Sequence, residues 1–287
     1  MSQVQRYAAF TSDPTGGNPA GVVLEADDLD GARMQQIAAE VGYSETAFVL
    51  RTGRQAPDFG LRFFSPLAEV AFCGHATIAT SVALAESGAR GPFRFDTRAG
   101  EIRVSTAREA GVMRASLQSV PGHSRPVTSD ALRETLGALR WSPDDLHPDY
   151  PAHVAFAGNS HLVLAARTRQ RLAELHYDFA GLKEISDREG WTTLQLFWHD
   201  GDSVFHSRNP FPTGGVVEDP ATGAGAAALG AYLREIGRLP RQPSFLIVQG
   251  EDMGRPSELS VTVDPRDPRI TVSGTAVPMS PAAADGR

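Results

Sequence analysis

The sequence predicts an α+β protein built from two similar halves. Segments rich in β-branched and aromatic residues dominate the chain, and helical periodicity is confined to a few stretches. Three groups of residues also recur in the same order, 141 to 150 positions apart. At 287 residues there is room for two domains of about 150 residues each.

Strand character marks Val4 to Phe10, Ala47 to Arg51, Leu61 to Ser65, Glu101 to Ser105 and Met113 to Leu117. It returns in His161 to Ala165, Thr193 to Trp198, Phe245 to Gln249, Leu259 to Val263 and Ile270 to Gly274. The clearest helix runs from about Asp30 to Val41, where Met34, Ile37, Ala38 and Val41 share one face. Others are Gly74 to Glu86, Asp130 to Leu139 and Gly223 to Ile236, two of them followed by glycines placed as stops. In the repeat, Asn18 of Thr15–Leu24 matches Asn159 of Phe156–Leu164, 141 residues on. Phe63–Pro66 followed by Cys73–Thr77 matches Phe205–Arg208 followed by Asp219–Gly223, with Cys73 and Asp219 separated by 146. Gly100-Glu101 returns as Gly250-Glu251. The expected halves are residues 1–121 and 127–279, divided by the Pro/Gly/Ser stretch Pro121 to Pro126, with an unstructured tail over 280–287.

Composition removes several function classes. A net charge of −7, spread along the chain, leaves no basic surface for a phosphate backbone, so no nucleic-acid partner is expected. Lys183 is the single lysine beside 26 arginines, and its Gly-Leu-Lys-Glu-Ile context suits neither a Schiff base nor a P-loop. One cysteine cannot close an intrachain disulfide, and Met1 to Phe10 lacks the apolar core of a signal peptide; both point to the cytoplasm. No apolar run reaches the 18 or so residues that span a bilayer, so no membrane partner is expected. The eight histidines show no metal-ligand spacing, and no metal is expected. Gly223-Ala-Gly225-Ala-Ala-Ala228 fits a dinucleotide-binding pattern. It lacks the following strand and acidic residue that such a site needs, which argues against nicotinamide.

What remains are two small-residue turns that each open a helix, Ala71–Thr77 and Val217–Gly225. The first N–H groups of a helix have no internal partner and carry the positive end of its dipole, worth about 0.3–2 kcal/mol toward a nearby anion. If the halves pack pseudo-symmetrically, the pair makes a site for a carboxylate or enolate; either turn alone reads better as ordinary capping, with Thr222 and small residues letting the helix approach the sheet. Glu45 starts a run apolar on both faces, as in a strand buried on both sides, and is the best general acid/base candidate of its half. His75 reads as a substrate contact or as a structural first-turn histidine. Asp219 reads as an amine or proton-positioning group, or as a residue serving the helix dipole. Cys73 reads as a small buried hydrophobe or a chemical group.

At these residues the chain resembles the phenazine-biosynthesis PhzF-like family, in the diaminopimelate-epimerase-like superfamily. Five motifs in order carry the resemblance: Phe10-Thr11 with Gly17–Gly21, Ser44–Phe48, Cys73–Thr77, Glu218–Gly223, and Gln249-Gly250 with Gly254–Ser257. It implies two similar domains, each a mixed β-sheet wrapped around a central helix, with a cleft between them, and frequent homodimers. The activity it implies is isomerisation of a small anionic metabolite without a cofactor. By the same resemblance Glu45 is the proton shuttle, and His75 and Asp219 are polar residues of the site. Asn18, Cys73 and the Gly74 and Gly223-Ala224 turns contact substrate.

The phenazine enzymes often carry Ser at the position of Ala224 and Ala at that of Cys73, which sets this chain apart from them. Sister epimerases use two cysteine bases, one per half, and this chain has one thiol. A Cys73/Asp219 two-base epimerase and a non-catalytic carboxylate-binding or dimeric interaction protein are the competing expectations.

Overall fold

Short apolar alternation and tight glycine turns build the first strands. In the computed structural model, which describes residues 3–52, 58–201 and 203–280, β1 (Gln5–Ala9) and β2 (Asn18–Val23) pair antiparallel. Gly17 between them has φ +64, and a Cβ there would collide with the Ala9 carbonyl and Thr11. Helix α1 (Gly31–Val41) is capped by Asp30, whose carboxylate accepts from the Arg33 N–H, and ends at Gly42 with φ 73. Next come β3 (Glu45–Arg51), parallel to β2, then β4 (Asp58–Phe64) and β5 (Glu69–Val70), each antiparallel to its predecessor. Helix α2 (Gly74–Glu86) leads to β6 (Phe93–Thr97), parallel to β4, and to the antiparallel β7 (Gly100–Glu109) and β8 (Val112–Pro121).

The rest of the chain comprises β9 (His123–Pro126), α3 (Ser129–Leu139), β10 (His153–Phe156), β11 (Ser160–Ala165), α4 (Arg169–Ala173) and α5 (Phe179–Glu189). These are followed by β12 (Thr193–Asp200), β13 (Val204–Phe211), β14 (Val216–Asp219), α6 (Gly223–Glu235), β15 (Ser244–Gln249), β16 (Ser257–Val263) and β17 (Arg269–Pro278). The structure falls into two units: the described residues up to Gln118 together with Ser273 onward, and Ser119–Val272. No helix among the described residues is long and apolar enough to cross a membrane.

The units repeat one topology. In the first, β1/β2, β3/β4, β4/β5 and β6/β7 are antiparallel, while β2/β3 and β4/β6 are parallel. In the second, β10/β11, β12/β13, β13/β14 and β15/β16 are antiparallel, while β11/β12 and β13/β15 are parallel. Within its own unit α2 packs on β1, β2, β3 and β7, and α6 on β9 to β12 and β16. This is the duplicated α+β class that the sequence leads one to expect, with the mixed sheet around a central helix that the family resemblance implies.

Both helices are buried nearly all round, from His75 to Leu84 and from Gly225 to Leu233. Their composition permits it. In α2 the buried hydroxyls of Thr77, Thr80 and Ser81 donate to the carbonyls four residues back, at 2.7, 2.7 and 2.8 Å, so no polar group is stranded. In α6 a Cβ at Gly225 would collide with the Gln195 and Asn209 side chains, and one at Gly230 would crowd Val261 and Ile270.

The ladder also corrects several sequence expectations. Arg62 pairs with Phe48, and Arg208 with Leu196, in equivalent registers. Phe63 therefore corresponds to Asn209, so the Phe63–Pro66 and Phe205–Arg208 match is out of register. Asn18 and Asn159 do correspond, because Val23 faces Phe48 as Leu164 faces Leu196. The residue before α6 is Thr222, so the counterpart of Cys73 is Thr222 and that of Asp219 is Val70. Pro121 to Pro126 is no linker: β8 runs through Pro121, and β9 pairs with β10, its proline at the strand end where no ladder N–H is needed. The chain passes between units after Gln118, within β8, and again after Val272, within β17. Helices α4 and α5 were not expected. Of the tail, residues 281–287 lie outside the described residues.

Under α6 sits His161, with no exposed surface; its Nδ1 is 2.8 Å from Thr193 Oγ1, and its Nε2 has no partner among the described residues. Burial pulls its pKa down to about 4 from 6.5. The folded state holds the ring neutral while the unfolded chain takes up a proton below pH 6.5. This stability is therefore complete above pH 6.5 and is lost as the pH falls toward 4, on the order of 3 kcal/mol in all. His161→Gln should flatten the stability–pH curve over that window, as read by urea unfolding; an unchanged slope would show that His161 is not the titrating group.

Candidate active site

Two parallel strands that start at the same end, followed by a helix, bring the first cluster together. Ala20 of β2 faces Glu45 of β3, so Asn18 and Glu45 lie at neighbouring strand starts, and the first turn of α2 supplies His75. Glu45 Oε2 is 3.5 Å from His75 Nε2, with the two side chains 16% and 7% exposed. Asn18 Nδ2 lies 3.2 Å from His75 Nδ1. Donation by that amide makes Nδ1 the acceptor and leaves the ring proton on Nε2, toward Glu45 and toward Ser44 Oγ at 3.4 Å. Cys73 Sγ lies 3.3 Å from Nδ1 and 3.8 Å from Nε2. Glu45, His75, Asn18 and Cys73 thus form one buried group, with Ser44 as a member that motif reading named without a role.

Helix α2 opens without a side-chain cap, since Cys73 at the cap position makes no capping hydrogen bond. The contrast is internal to the molecule. Helices α1, α3, α4 and α5 are capped by Asp30, Thr128, Thr168 and Asp178, whereas α2 and α6 have no capping side chain. Gly74 and the residues after it therefore carry the positive helix end without a side-chain acceptor.

The second unit builds a different arrangement at its own helix start. Thr222 occupies the cap position of α6, but its hydroxyl turns back and donates to Asp219 Oδ2 at 2.6 Å. Gln249 sets this direction. Its Nε2 donates to the Asp219 carbonyl at 2.7 Å and to Thr222 Oγ1 at 3.1 Å, and its Oε1 accepts from the Thr222 N–H at 3.2 Å. Capping by Thr222, one reading of this turn, is thus not what the hydroxyl does. Gly223 and Ala224 are the first two residues of α6, and Asp219 is 8% exposed. Asp219, Gly223 and Ala224 belong to this cluster of the second unit.

Continuing inward, Ser207 Oγ donates toward Gln249 Oε1 and Asn209 Oδ1, and Asn209 Nδ2 donates to Gln195 and Thr193. Residue reading did not foresee this network. Its signal was present as Ser207 and Asn209, two polar residues at alternate positions on the face of β13 that they share with Phe205 and Phe211. Strand β14 is anchored by a buried ion pair, with Arg208 Nη2 2.5 Å and Nε 3.0 Å from Glu218 and side chains only 11% and 4% exposed. The first unit repeats it in more exposed form, as Arg62 with Glu69 across β4 and β5.

A family model for phenazine biosynthesis-like proteins, PhzC-PhzF, matches residues 7–282. An uncharacterized isomerase of Escherichia coli K12 is 36% identical over 285 residues, covering 96% of this chain and 95% of the relative. A trans-2,3-dihydro-3-hydroxyanthranilate isomerase of Pseudomonas aeruginosa is 32% identical over 287 residues, covering 97% and 96%. Among solved structures, a PhzF-family phenazine biosynthesis protein of Bacillus anthracis superposes with a TM-score of 0.85 at 25% identity, covering 96% of each chain. The fold and these relatives make the protein an isomerase. More particularly, the chain belongs to the phenazine biosynthesis-like, PhzC-PhzF family.

Arg208→Met should leave the Glu218 carboxylate buried and unpaired, costing about 3–5 kcal/mol in denaturant unfolding. Replacing both, Arg208→Met with Glu218→Leu, should recover most of that loss. A double variant as unstable as the single one would show that the pair itself, rather than the stranded charge, holds β14.

Proposed function

We propose that this isomerase moves a proton between two carbons of a small unsaturated carboxylate without a cofactor, with Glu45 as the carrier. The observation that supports this is the placement of the Glu45 carboxylate. It is partly buried at the start of a parallel strand, with the His75 imidazole 3.5 Å away and the uncapped start of α2 adjoining through Cys73. Glu45 takes the proton from an acidic C–H and returns it at another carbon, shifting a double bond. His75, held by Asn18, donates a hydrogen bond to the carboxylate or the substrate. Backbone N–H groups at Gly74 favour the negative charge that develops between the two transfers, assistance worth several kcal/mol in such sites. On the same reading Asp219 is a polar contact to substrate, and Gly223 and Ala224 offer backbone N–H groups. The partner is a small anionic metabolite, the working assembly a homodimer and the location cytoplasmic.

Trans-2,3-dihydro-3-hydroxyanthranilate, the compound named for the Pseudomonas relative, is the first substrate to test. Ala224 and Cys73 stand where the phenazine enzymes often carry Ser and Ala by the family resemblance, so a panel of other unsaturated carboxylates belongs in the same screen.

Glu45→Gln keeps size and hydrogen bonding but cannot carry a proton. It should lower turnover by about 10²–10⁴-fold with little change in melting temperature. Turnover at the wild-type rate would remove Glu45 from the role. Cys73→Ala should retain most of its turnover, whereas complete loss without loss of stability would favour the Cys73/Asp219 two-base epimerase.

The isotope pattern in D₂O separates the readings further. A single shielded carboxyl should leave deuterium only at the receiving carbon, below full incorporation, with recovered substrate largely unlabelled. Deuterium at an inverted stereocentre, with no movement of the double bond, would overturn the proposal in favour of an epimerase. Binding with no incorporation from any substrate would favour a carboxylate-binding protein.

A further inference from the structure

Ligand spacing along the chain offers no metal site, but folding brings three candidate ligands together. The carboxylate of Glu45, the thiol of Cys73 and the imidazole of His75 come from β3 and the start of α2, and their donor atoms all lie within 4.8 Å of one another. The geometry points to a site for a thiophilic divalent cation of the Zn²⁺ class, bound by Glu45 Oε2, Cys73 Sγ and His75 Nε2.

Three features argue for a cation rather than a chance cluster. The first is size. Tetrahedral zinc with bonds of about 2.0–2.3 Å to nitrogen, oxygen and sulfur requires donor-to-donor edges of about 3.3–3.6 Å. Nε2 lies 3.5 Å from Oε2 and 3.8 Å from Sγ, and the three donor groups all come within 4.8 Å of one another, so side-chain adjustment alone brings them to tetrahedral edges. The second is the donor set. Thiolate, imidazole and carboxylate together select a borderline-soft metal over Mg²⁺ or Ca²⁺, and three protein ligands leave a fourth position for water or an anion. The third lies behind the ring. Zinc-bound histidines pass their other ring N–H to an acceptor that fixes the tautomer, and Asn18 stands 3.2 Å from Nδ1. A flip of the Asn18 amide turns Oδ1 to accept from Nδ1–H and frees Nε2 for the metal.

The thiol must ionise for this ligand set to form. Cys73 sits at the start of α2, where the helix end favours a thiolate, and its proton is released to solvent on binding. The cation and a proton on Glu45 compete for the same carboxylate oxygen. Cation occupancy therefore blocks the proton shuttle, and this consequence alone rests on the function proposed above.

The test uses the purified full chain, with any affinity tag removed, and Co²⁺ as the probe. Cys73 is the one cysteine in the sequence, so a thiolate-to-cobalt charge-transfer band in the near ultraviolet can arise nowhere else. The band should saturate at one equivalent of Co²⁺, be displaced by Zn²⁺ and disappear in Cys73→Ala. His75→Gln should weaken apparent affinity at least about 10-fold, and Asn18→Ala, which removes the support behind the ring, about 10–100-fold. Circular dichroism and thermal melting establish that each variant is folded, and Asn18→Asp, which keeps an acceptor behind the ring, should restore binding if Asn18→Ala does not fold. No band in the folded wild-type protein, or a band with the same affinity in His75→Gln, would overturn the site. These readouts need no substrate, so their outcome is independent of what Glu45 does in turnover. In a turnover assay, saturating Zn²⁺ should abolish activity and a chelator should restore it; full turnover with the site saturated would overturn the competition between cation and proton.

Discussion

A helix buried on every side is the constraint from which the rest of each unit follows. Such a helix cannot carry long polar side chains, and its hydroxyls must find partners in its own backbone. This is why α2 reads Gly-His-Ala-Thr-Ile-Ala-Thr-Ser-Val and α6 reads Gly-Ala-Gly-Ala-Ala-Ala-Leu-Gly. A sheet can close around an axis this slim only if side chains stay small at the tightest approaches, as at Gly225 and Gly230. The arrangement also fixes where reactive groups can be placed. With the sides of the helix occupied by packing, its N-terminal end is where polar groups collect: Asn18, Glu45, Cys73 and His75 in one unit, and Asp219, Thr222 and Gln249 in the other.

Much of this was legible because the central helices and parallel strands use strong local signals. Met34, Ile37 and Ala38 on one face identified α1, and the small-residue turns at Cys73–Thr77 and Asp219–Gly223 identified the starts of α2 and α6. Glu45 stood out because a carboxylate opening an apolar strand is expensive unless it is used or solvated. Other features were hidden for definite physical reasons. Helix α5 is bracketed by Asp178 and Gly190, but it turns only Leu182, Ile185 and Ser186 inward, too few apolar residues for periodicity to outweigh the polar ones. Strand β9 contains two of the residue types that usually mark a turn and is held by pairing with β10, a partner some thirty residues away. The Glu45–Cys73–His75 group joins residues on different elements, and no local spacing reports a contact made by tertiary folding.

Duplication explains the topology, and divergence explains why the two helix starts differ in chemistry. Glu45 begins β3, and the equivalent position of β12 is Thr193, as the pairing of Ala20 with Glu45 and of His161 with Thr193 shows. The first unit thus places an ionisable group where the second places a hydroxyl locked to a buried, neutral histidine. The extended amide and hydroxyl network from Gln249 to His161 costs the second unit nothing in charge desolvation, and it holds the Asp219 turn in one hydrogen-bonding state.

That asymmetry bears on how a two-base mechanism could arise in this architecture. A pair of bases related by the internal repeat would occupy equivalent positions, the residue before α2 and the residue before α6. Those are Cys73 and Thr222. Thr222 is committed to donating its proton to Asp219 while accepting from Gln249, and a hydroxyl used in this way is a poor acceptor for a carbon-bound proton. Asp219 stands where the first unit has Val70, on the strand ahead of the turn, so it is not the repeat partner of Cys73. The carboxylate of the first unit, Glu45, stands at another position, the start of β3, where the second unit has Thr193, and it lies beside the imidazole of His75, which Asn18 meets from its other nitrogen. In the function proposed above, a single carboxyl both removes and returns the proton and requires no partner of matched strength, which is compatible with two helix starts of unequal chemistry.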